Sequence, residues 1–309
     1  MKLKKSRKLM IIICAAALVL GAAAFIVILN IPRENKYSLS SDRAFALTNT
    51  DEVVETIRSG LKGRARSITI SVELEGEYMD DISPFVNELM TMAQEHTGVP
   101  DEGDYLRYQM GGYTFSYGHE ADGNGFRYDI VIVPEYYTLL KEETEVSEEV
   151  ESVIQQLGLA RDASDYDKVL AVYDYLSDFV QYDFVHKNNE YYHKKSTAYG
   201  ALVNKRACCQ GYSVTMYRLL LELGVDCRVI TGDGSSEDGT EKHSWNIVCI
   251  DGQYYNIDPT WNRNLVEQDY FLKSEADFEY HVRADEFAGE EFTEMYNMAE
   301  ESWSVGDKG

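Results

Sequence analysis

An uncharged apolar run from Leu9 to Leu29 opens the chain, and beyond it the apolar positions recur with helix and strand periods. The run is 21 residues long. At about 1.5 Å per helical residue it reaches roughly 30 Å, the thickness of a bilayer core. Lys2, Lys4, Lys5, Arg7 and Lys8 precede it. That order predicts a single-pass anchor with a cytoplasmic N-terminus and the remainder outside the cytoplasm. Ala22-Ala23-Ala24 offers a small-residue cleavage site, so secretion after signal-peptide cleavage is the alternative. Phe25–Leu29 continues the apolar run past that site, which favours the uncleaved anchor. Cys14 lies within the run.

Residues 1–35 are therefore read as a basic stub with an anchor, and 36–140 as a small α+β module. A polar connection over 30–47 leads to a helix opening near Asn49, with Glu52 at capping-box spacing and Val53, Ile57 and Leu61 on one face. Ser67–Leu74 alternates like a strand, and residues 82–96 read as a helix. Tyr105–Tyr117 and Phe126–Val133 read as strands joined by a glycine-rich hairpin loop over 118–125. The module shows no chemical constellation, and its role stays open.

Residues 141–309 carry a denser pattern. Glu142–Leu157 is an acidic helix, and Ser164 caps a second whose face is Val169, Val172, Tyr173, Leu176 and Val180. A third helix runs from the Cys208-Cys209 pair to Leu223, and Gly224 ends it. Cys227–Thr231 reads as a strand and Gly232–Glu241 as a mobile loop. This loop is not an EF-hand, because the position that needs glycine holds Asp238. His243–Ile250 and Gln253–Thr260 are strands joined by Asp251-Gly252, a two-residue hairpin signal. That turn sets Trp245 opposite Asp258 and His243 opposite Thr260. With side chains alternating, His243, Trp245 and Asp258 share one face.

Composition narrows the classes. The 309 residues are 44% hydrophobic and 27% charged, which fits a globular chain. Beyond residue 36 the chain holds 22 Lys/Arg against 52 Asp/Glu, a net of −30. So acidic a body repels phosphate backbones, which excludes nucleic acid as a partner. Its plain reading is a solvated, solubilising surface. Five cysteines, two of them adjacent, do not make a disulfide framework. Cys227 and Cys249 fall in strands and read as buried and reduced, with pairing as the alternative. Nothing has the spacing of a zinc site, and no cofactor motif is present.

The chemistry concentrates in Cys209, His243 and Asp258. A thiol, an imidazole and a carboxylate are the parts of an activated cysteine nucleophile. A helix N-terminus favours the thiolate, so Cys209 is well placed. Cys208 is the rival nucleophile. Tyr199, Gln210 and Trp245 are candidates for a second oxyanion donor or for groove lining. His96, His119, His186, His193 and His281 are assigned surface roles.

The sequence Ala-Tyr-Gly-Ala-Leu, Cys-Gln-Gly-Tyr, Leu-Gly-Val-Asp-Cys, His-Ser-Trp-Asn and Tyr-Asn-Ile-Asp-Pro-Thr-Trp, in that order, resembles the transglutaminase-like superfamily in its bacterial branch. The resemblance covers about residues 165–275. Tyr270-Phe-Leu-Lys-Ser and the later His281 are similar to its trailing segment. It implies a papain-like α+β core of helices packed on an antiparallel sheet, with Cys209 as nucleophile, His243 as base and Asp258 as orienting acid. The implied reaction is cleavage of peptide or protein amide bonds, or acyl transfer to an amine, through a thioester. The expected protein is a membrane-anchored extracytoplasmic cysteine enzyme, with hydrolysis favoured over transfer and a peptide or protein substrate, cell-wall material included. A catalytically silent binding or adhesion module is the alternative.

Overall fold

The computed structural model describes residues 28–29, 50–75, 78–236, 239–262 and 270–304. The chain divides into two compact units. The first holds the described residues of 50–94 and 111–136 together with Ile28–Leu29. The second holds 95–110 and everything described from Tyr137 onward.

In the first unit, helix α1 (Thr50–Lys62) buries Val53, Val54, Ile57 and Leu61. Helix α2 (Ser83–Ala93) buries Phe85, Val86, Leu89, Met90 and Ala93. The strands are β1 (Ile28–Leu29), β2 (Ile68–Glu75), β3 (Met110–Asp122) and β4 (Gly125–Tyr136), in sheet order β1-β3-β4-β2. Strand β2 alternates buried and exposed residues along its whole length, the signature of a sheet covered on one face. Residues 118–125 are not a loop: β3 and β4 run on through them to a tight turn at Gly123. Residues 9–27 of the predicted anchor lie outside the described residues. Ile28 and Leu29 are a two-residue strand opposite Thr114 and Tyr113 rather than the end of a helix. No helix among the described residues is long and apolar enough to cross a membrane.

The second unit opens with α3 (Asp104–Arg107), a helical turn where the sequence suggested the start of a strand. The cause is Asp104, which is fully buried and accepts from Arg228 Nε, Arg228 Nη2 and the Val229 amide. A buried carboxylate needs such partners, and they fix this turn against the strand that carries Arg228. Helices α4 (Leu140–Leu157) and α5 (Asp165–Phe179) follow, then α6 (Ala198–Leu202) and α7 (Cys209–Glu222). Ser164 caps α5 through the Asp167 amide, and Thr197 caps α6 through the Gly200 amide. Helix α7 is buried almost throughout, so it forms the axis of the core. A short parallel pair, β5 (Gln181–Tyr182) and β6 (Arg206–Ala207), leads into it.

The principal sheet has the order β10-β7-β8-β9, from β7 (Cys227–Ser236), β8 (Gly239–Ile250), β9 (Gln253–Ile257) and β10 (His281–Arg283). All three pairings are antiparallel. Asp251 and Gly252 have φ of 53° and 81°, as a type I′ turn requires. Ile250 therefore pairs with Gln253 and Asn246 with Ile257, the register expected from the turn. The described residues of 232–241 are strand, not loop: β7 and β8 stay paired from Cys227 and Val248 out to Ser236 and Gly239. Gly232 and Gly234 suit close approach rather than mobility. A Cβ on Gly232 would lie 2.0 Å from the Val282 carbonyl oxygen of β10. Short helices α8 (Pro259–Asn262), α9 (Asp285–Ala288) and α10 (Glu290–Met295) complete the unit.

Candidate active site

Cys209 is the first residue of α7, and Cys208 sits at the cap in extended conformation. The Gly211 that follows admits no side chain. A Cβ there would meet Ala207 Cβ at 2.6 Å and the Lys195 carbonyl at 2.8 Å. The Cys-Gln-Gly order thus lets the start of the helix press against the preceding chain. The helix dipole favours negative charge at this sulfur.

His243 comes from β8, and Asp258 directly follows β9. Strand β9 ends at Ile257 rather than running to Thr260, because Pro259 opens α8, so Asp258 lies just past the last strand pair instead of on the sheet face. From there its Oδ2 lies 2.7 Å from His243 Nε2. Both side chains are buried. With Nε2 committed to the carboxylate, Nδ1 is the ring nitrogen left for the Cys209 sulfur, to which His243 is hydrogen bonded. Burial pulls the imidazole toward neutrality, but the Asp258 charge and hydrogen bond outweigh it and raise its pKa to about 10. Burial raises the Cys209 thiol, yet the hydrogen bond and charge of His243 and the hydrogen bonds from Ser244 bring it below its ordinary value. The pair is built to stand as thiolate and imidazolium. Cys208 differs: burial and the neighbouring Cys209 push it up to about 12, and its Sγ–H faces the Asp183 carbonyl at 3.7 Å.

Asp258 is saturated with donors. Oδ1 accepts from the Thr260 amide at 2.7 Å and from its hydroxyl at 2.6 Å. Oδ2 accepts from His243 and also from His281 Nε2 at 3.2 Å. Burial works against the charge, but both imidazoles hold the Asp258 pKa well below the usual carboxylate range. His281 has no exposed side-chain surface. Its ring lies 4.0 Å from that of Phe278, 4.6 Å from Trp261 and 5.1 Å from Trp245. The surface role assigned to His281 is therefore overturned. His96 is likewise engaged, between the Tyr217 hydroxyl and Asp226 Oδ1.

The donor atoms of His243, Asp258 and His281 lie within 4.8 Å of one another, a spacing that raises the question of a metal. Two ligands about 2.1 Å from one zinc ion stand roughly 3.4 Å apart at the tetrahedral angle. The 2.7 Å separation of His243 and Asp258 is a hydrogen bond, and the cluster is a proton-holding network.

The three oxyanion or groove candidates have other partners. Gln210 Nε2 donates to the carbonyls of Tyr108 and Ser196. Trp245 Nε1 donates to Asn256 Oδ1, and its ring stacks behind His243 at 6.2 Å. Tyr199 is hydrogen bonded to Glu145, and Lys194 lies over its ring. Tyr182 and Ser244 are the site residues that the sequence reading missed. Tyr182 pairs with Ala207 in β5–β6. Its phenol is held protonated first by burial and then by the nearby Cys209 charge. Ser244 is anchored through Ser213 Oγ at 2.9 Å. The signal for Ser244 was its place in His-Ser-Trp-Asn, while two-residue strands such as β5 leave no period to read. The described cysteines are all free, Cys227 buried and Cys249 half-buried.

Residues 154–259 match the family model of the transglutaminase-like superfamily. Kyphoscoliosis peptidase of Mus musculus is 27% identical over 112 residues, which is 34% of this chain and 17% of the relative. The Homo sapiens protein of the same name is 26% identical over 115 residues, with the same coverage. The chain thus spans about one sixth of the length of these relatives. Among solved structures, a TGase aligns with TM-score 0.37 and 17% identity, covering 70% of this chain and 57% of that one. A candidate cysteine protease from Cytophaga hutchinsonii aligns with TM-score 0.34 and 14% identity, covering 55% and 65%.

Proposed function

With residues 154–259 a transglutaminase-like domain, we propose that the chain is a cysteine enzyme that opens peptide or protein amide bonds through a thioester on Cys209. One observation carries the reading: His243 lies between the Cys209 sulfur and a fully buried Asp258, hydrogen bonded to both. The thiolate adds to the carbonyl carbon, and the Cys209 amide at the start of α7 faces the developing oxyanion. The imidazolium gives its proton to the departing amine, leaving the acyl group on sulfur. His243, now neutral, takes a proton from water or from an acceptor amine, which attacks the thioester and frees the thiolate. Asp258 stabilises the imidazolium and fixes the ring nitrogen that carries the proton.

Hydrolysis is the favoured outcome, supported by the name of the curated relatives, which are peptidases. The apolar run from Leu9, with basic residues before it, supports a membrane anchor and an extracytoplasmic site. Protease accessibility of the site in intact cells, and its retention in the membrane fraction after carbonate washing, test that location. There the substrates in reach are cell-surface and cell-wall peptides.

The test of the chemistry is iodoacetamide alkylation of the full chain across pH, with the modified cysteine located by mass spectrometry. The expected profile is fast labelling at neutral pH, with an apparent pKa well below the ordinary thiol value of about 8.5. It is expected to vanish in Cys209→Ala and persist in Cys208→Ala. Slow labelling of Cys209 with an ordinary thiol profile would instead point to a silent binding module.

A further inference from the structure

Residues 183–192 reverse the usual arrangement of a surface loop. Asp183, His186 and Lys187 of the segment, with Lys195 beyond it, hold it in shape. Lys195 Nζ donates to the carbonyls of His186, Lys187 and Asn189 at 2.9, 2.7 and 2.8 Å. The buried Asp183 accepts from the His186 amide and from His186 Nδ1 at 3.1 and 2.8 Å. The His186 ring stacks on Tyr192 at 4.1 Å. Lys187 is paired with Glu241 at 2.7 Å. The large apolar side chains face solvent: Phe184 is 67% exposed, Val185 73% and Tyr191 92%. Apolar groups exposed on a pinned segment suit a contact surface, because little ordering entropy remains to be lost on binding.

Its ties place this segment beside the nucleophile. The Asp183 carbonyl accepts from Cys208 Sγ, and the Phe184 ring lies 4.8 Å from that of Tyr182, whose strand partner is Ala207. On the other side, Glu241 stands two residues before His243 on β8. The segment is thus fastened both to the chain that presents the sulfur and to the strand that presents the base. After the first chemical step the acyl portion of the substrate stays on the neighbouring Cys209 sulfur.

We propose that Phe184, Val185 and Tyr191 form the specificity wall for the acyl donor, accepting an aromatic or large aliphatic side chain on the acyl side of the attacked amide. This rests on the cysteine-enzyme reading above. The test uses three dipeptidyl acyloxymethyl ketones that differ only in the residue next to the ketone: Phe, Ala or Glu. In each, the Cys209 sulfur forms a thioether as the carboxylate leaves. The full chain is expected to react with the Phe probe about tenfold faster than with the Ala probe, as burial of one aromatic ring allows. In the double variant Phe184→Ser/Tyr191→Ser the Phe-to-Ala ratio should fall to near one while the iodoacetamide rate is unchanged. Phe184→Leu/Tyr191→Leu should keep part of the preference, and it decides the matter should the serine pair lose iodoacetamide reactivity. Equal Phe and Ala rates in the unaltered protein, or a preference that survives the serine pair, overturns the wall. Iodoacetamide labelling as slow as in Cys209→Ala overturns the enzyme reading, and the wall with it.

Discussion

Two imidazoles share one oxygen of Asp258, and that sharing sets what each residue does. A carboxylate oxygen that serves two donors binds each less strongly than it would bind one. His281 therefore both fixes the Asp258 plane and tempers the hold of Asp258 on His243. His281→Leu is expected to slow alkylation of Cys209 about tenfold and to broaden the pH range over which the thiolate–imidazolium pair exists. His281→Gln can still donate near the Nε2 position and should restore most of the rate and the original profile. A merely structural role would cost both variants alike, without changing the profile. The sign of the pH dependence follows from the pair itself. Cys209 is depressed, so reactivity appears below the ordinary thiol range as pH rises. His243 is raised to about 10, so its proton, needed by the leaving amine, is lost near that pH. Amide turnover should trace a bell whose falling limb lies near pH 10, measured as kcat/KM on a peptide amide, with both limbs belonging to the coupled pair.

Helix α7 delivers the sulfur and the β8–β9 hairpin delivers the base and acid, so element geometry decides whether they meet. Gly234 of β7 backs directly onto the base. A Cβ there would lie 2.9 Å from Trp261 Cζ2 and 3.0 Å from His243 Cβ. Gly234→Ala should displace the imidazole, slow alkylation about tenfold, and cost roughly 1–3 kcal/mol in denaturant unfolding. Asp104→Ala leaves the buried Arg228 without its carboxylate and should cost about 3–5 kcal/mol by the same measurement. The hairpin was legible in the sequence because a type I′ turn and a period of two leave a single register. His281 was not, since it stands 23 positions beyond Asp258 with no strong period between. The paired residues 232–236 and 239–241 carry loop chemistry in their Gly, Ser and acidic residues, while the need for Gly232 and Gly234 lies in the neighbouring β10 and Trp261. The turn at 104–107 was hidden for a similar reason: its cause is Arg228, far along the chain.

The net charge of −30 beyond residue 36 acts on the whole molecule rather than on the site. Self-repulsion among so many carboxylates weakens the compact state, and salt screens it over about 10 Å at 0.1 M. The thermal midpoint should rise by about 2–5 °C between 10 and 200 mM sodium chloride, as read by calorimetry. A fall over that range would mean that attraction within ion pairs outweighs the repulsion. Cys209 belongs to a helix, and the groups that lower its pKa belong to a sheet. A compact state that kept both elements but let them drift apart would hold a thiol of ordinary reactivity. The sulfur is therefore a built-in gauge of docking between helix and sheet: during unfolding its labelling rate should change with the near-ultraviolet dichroism of the packed tryptophans, ahead of any loss of helical signal.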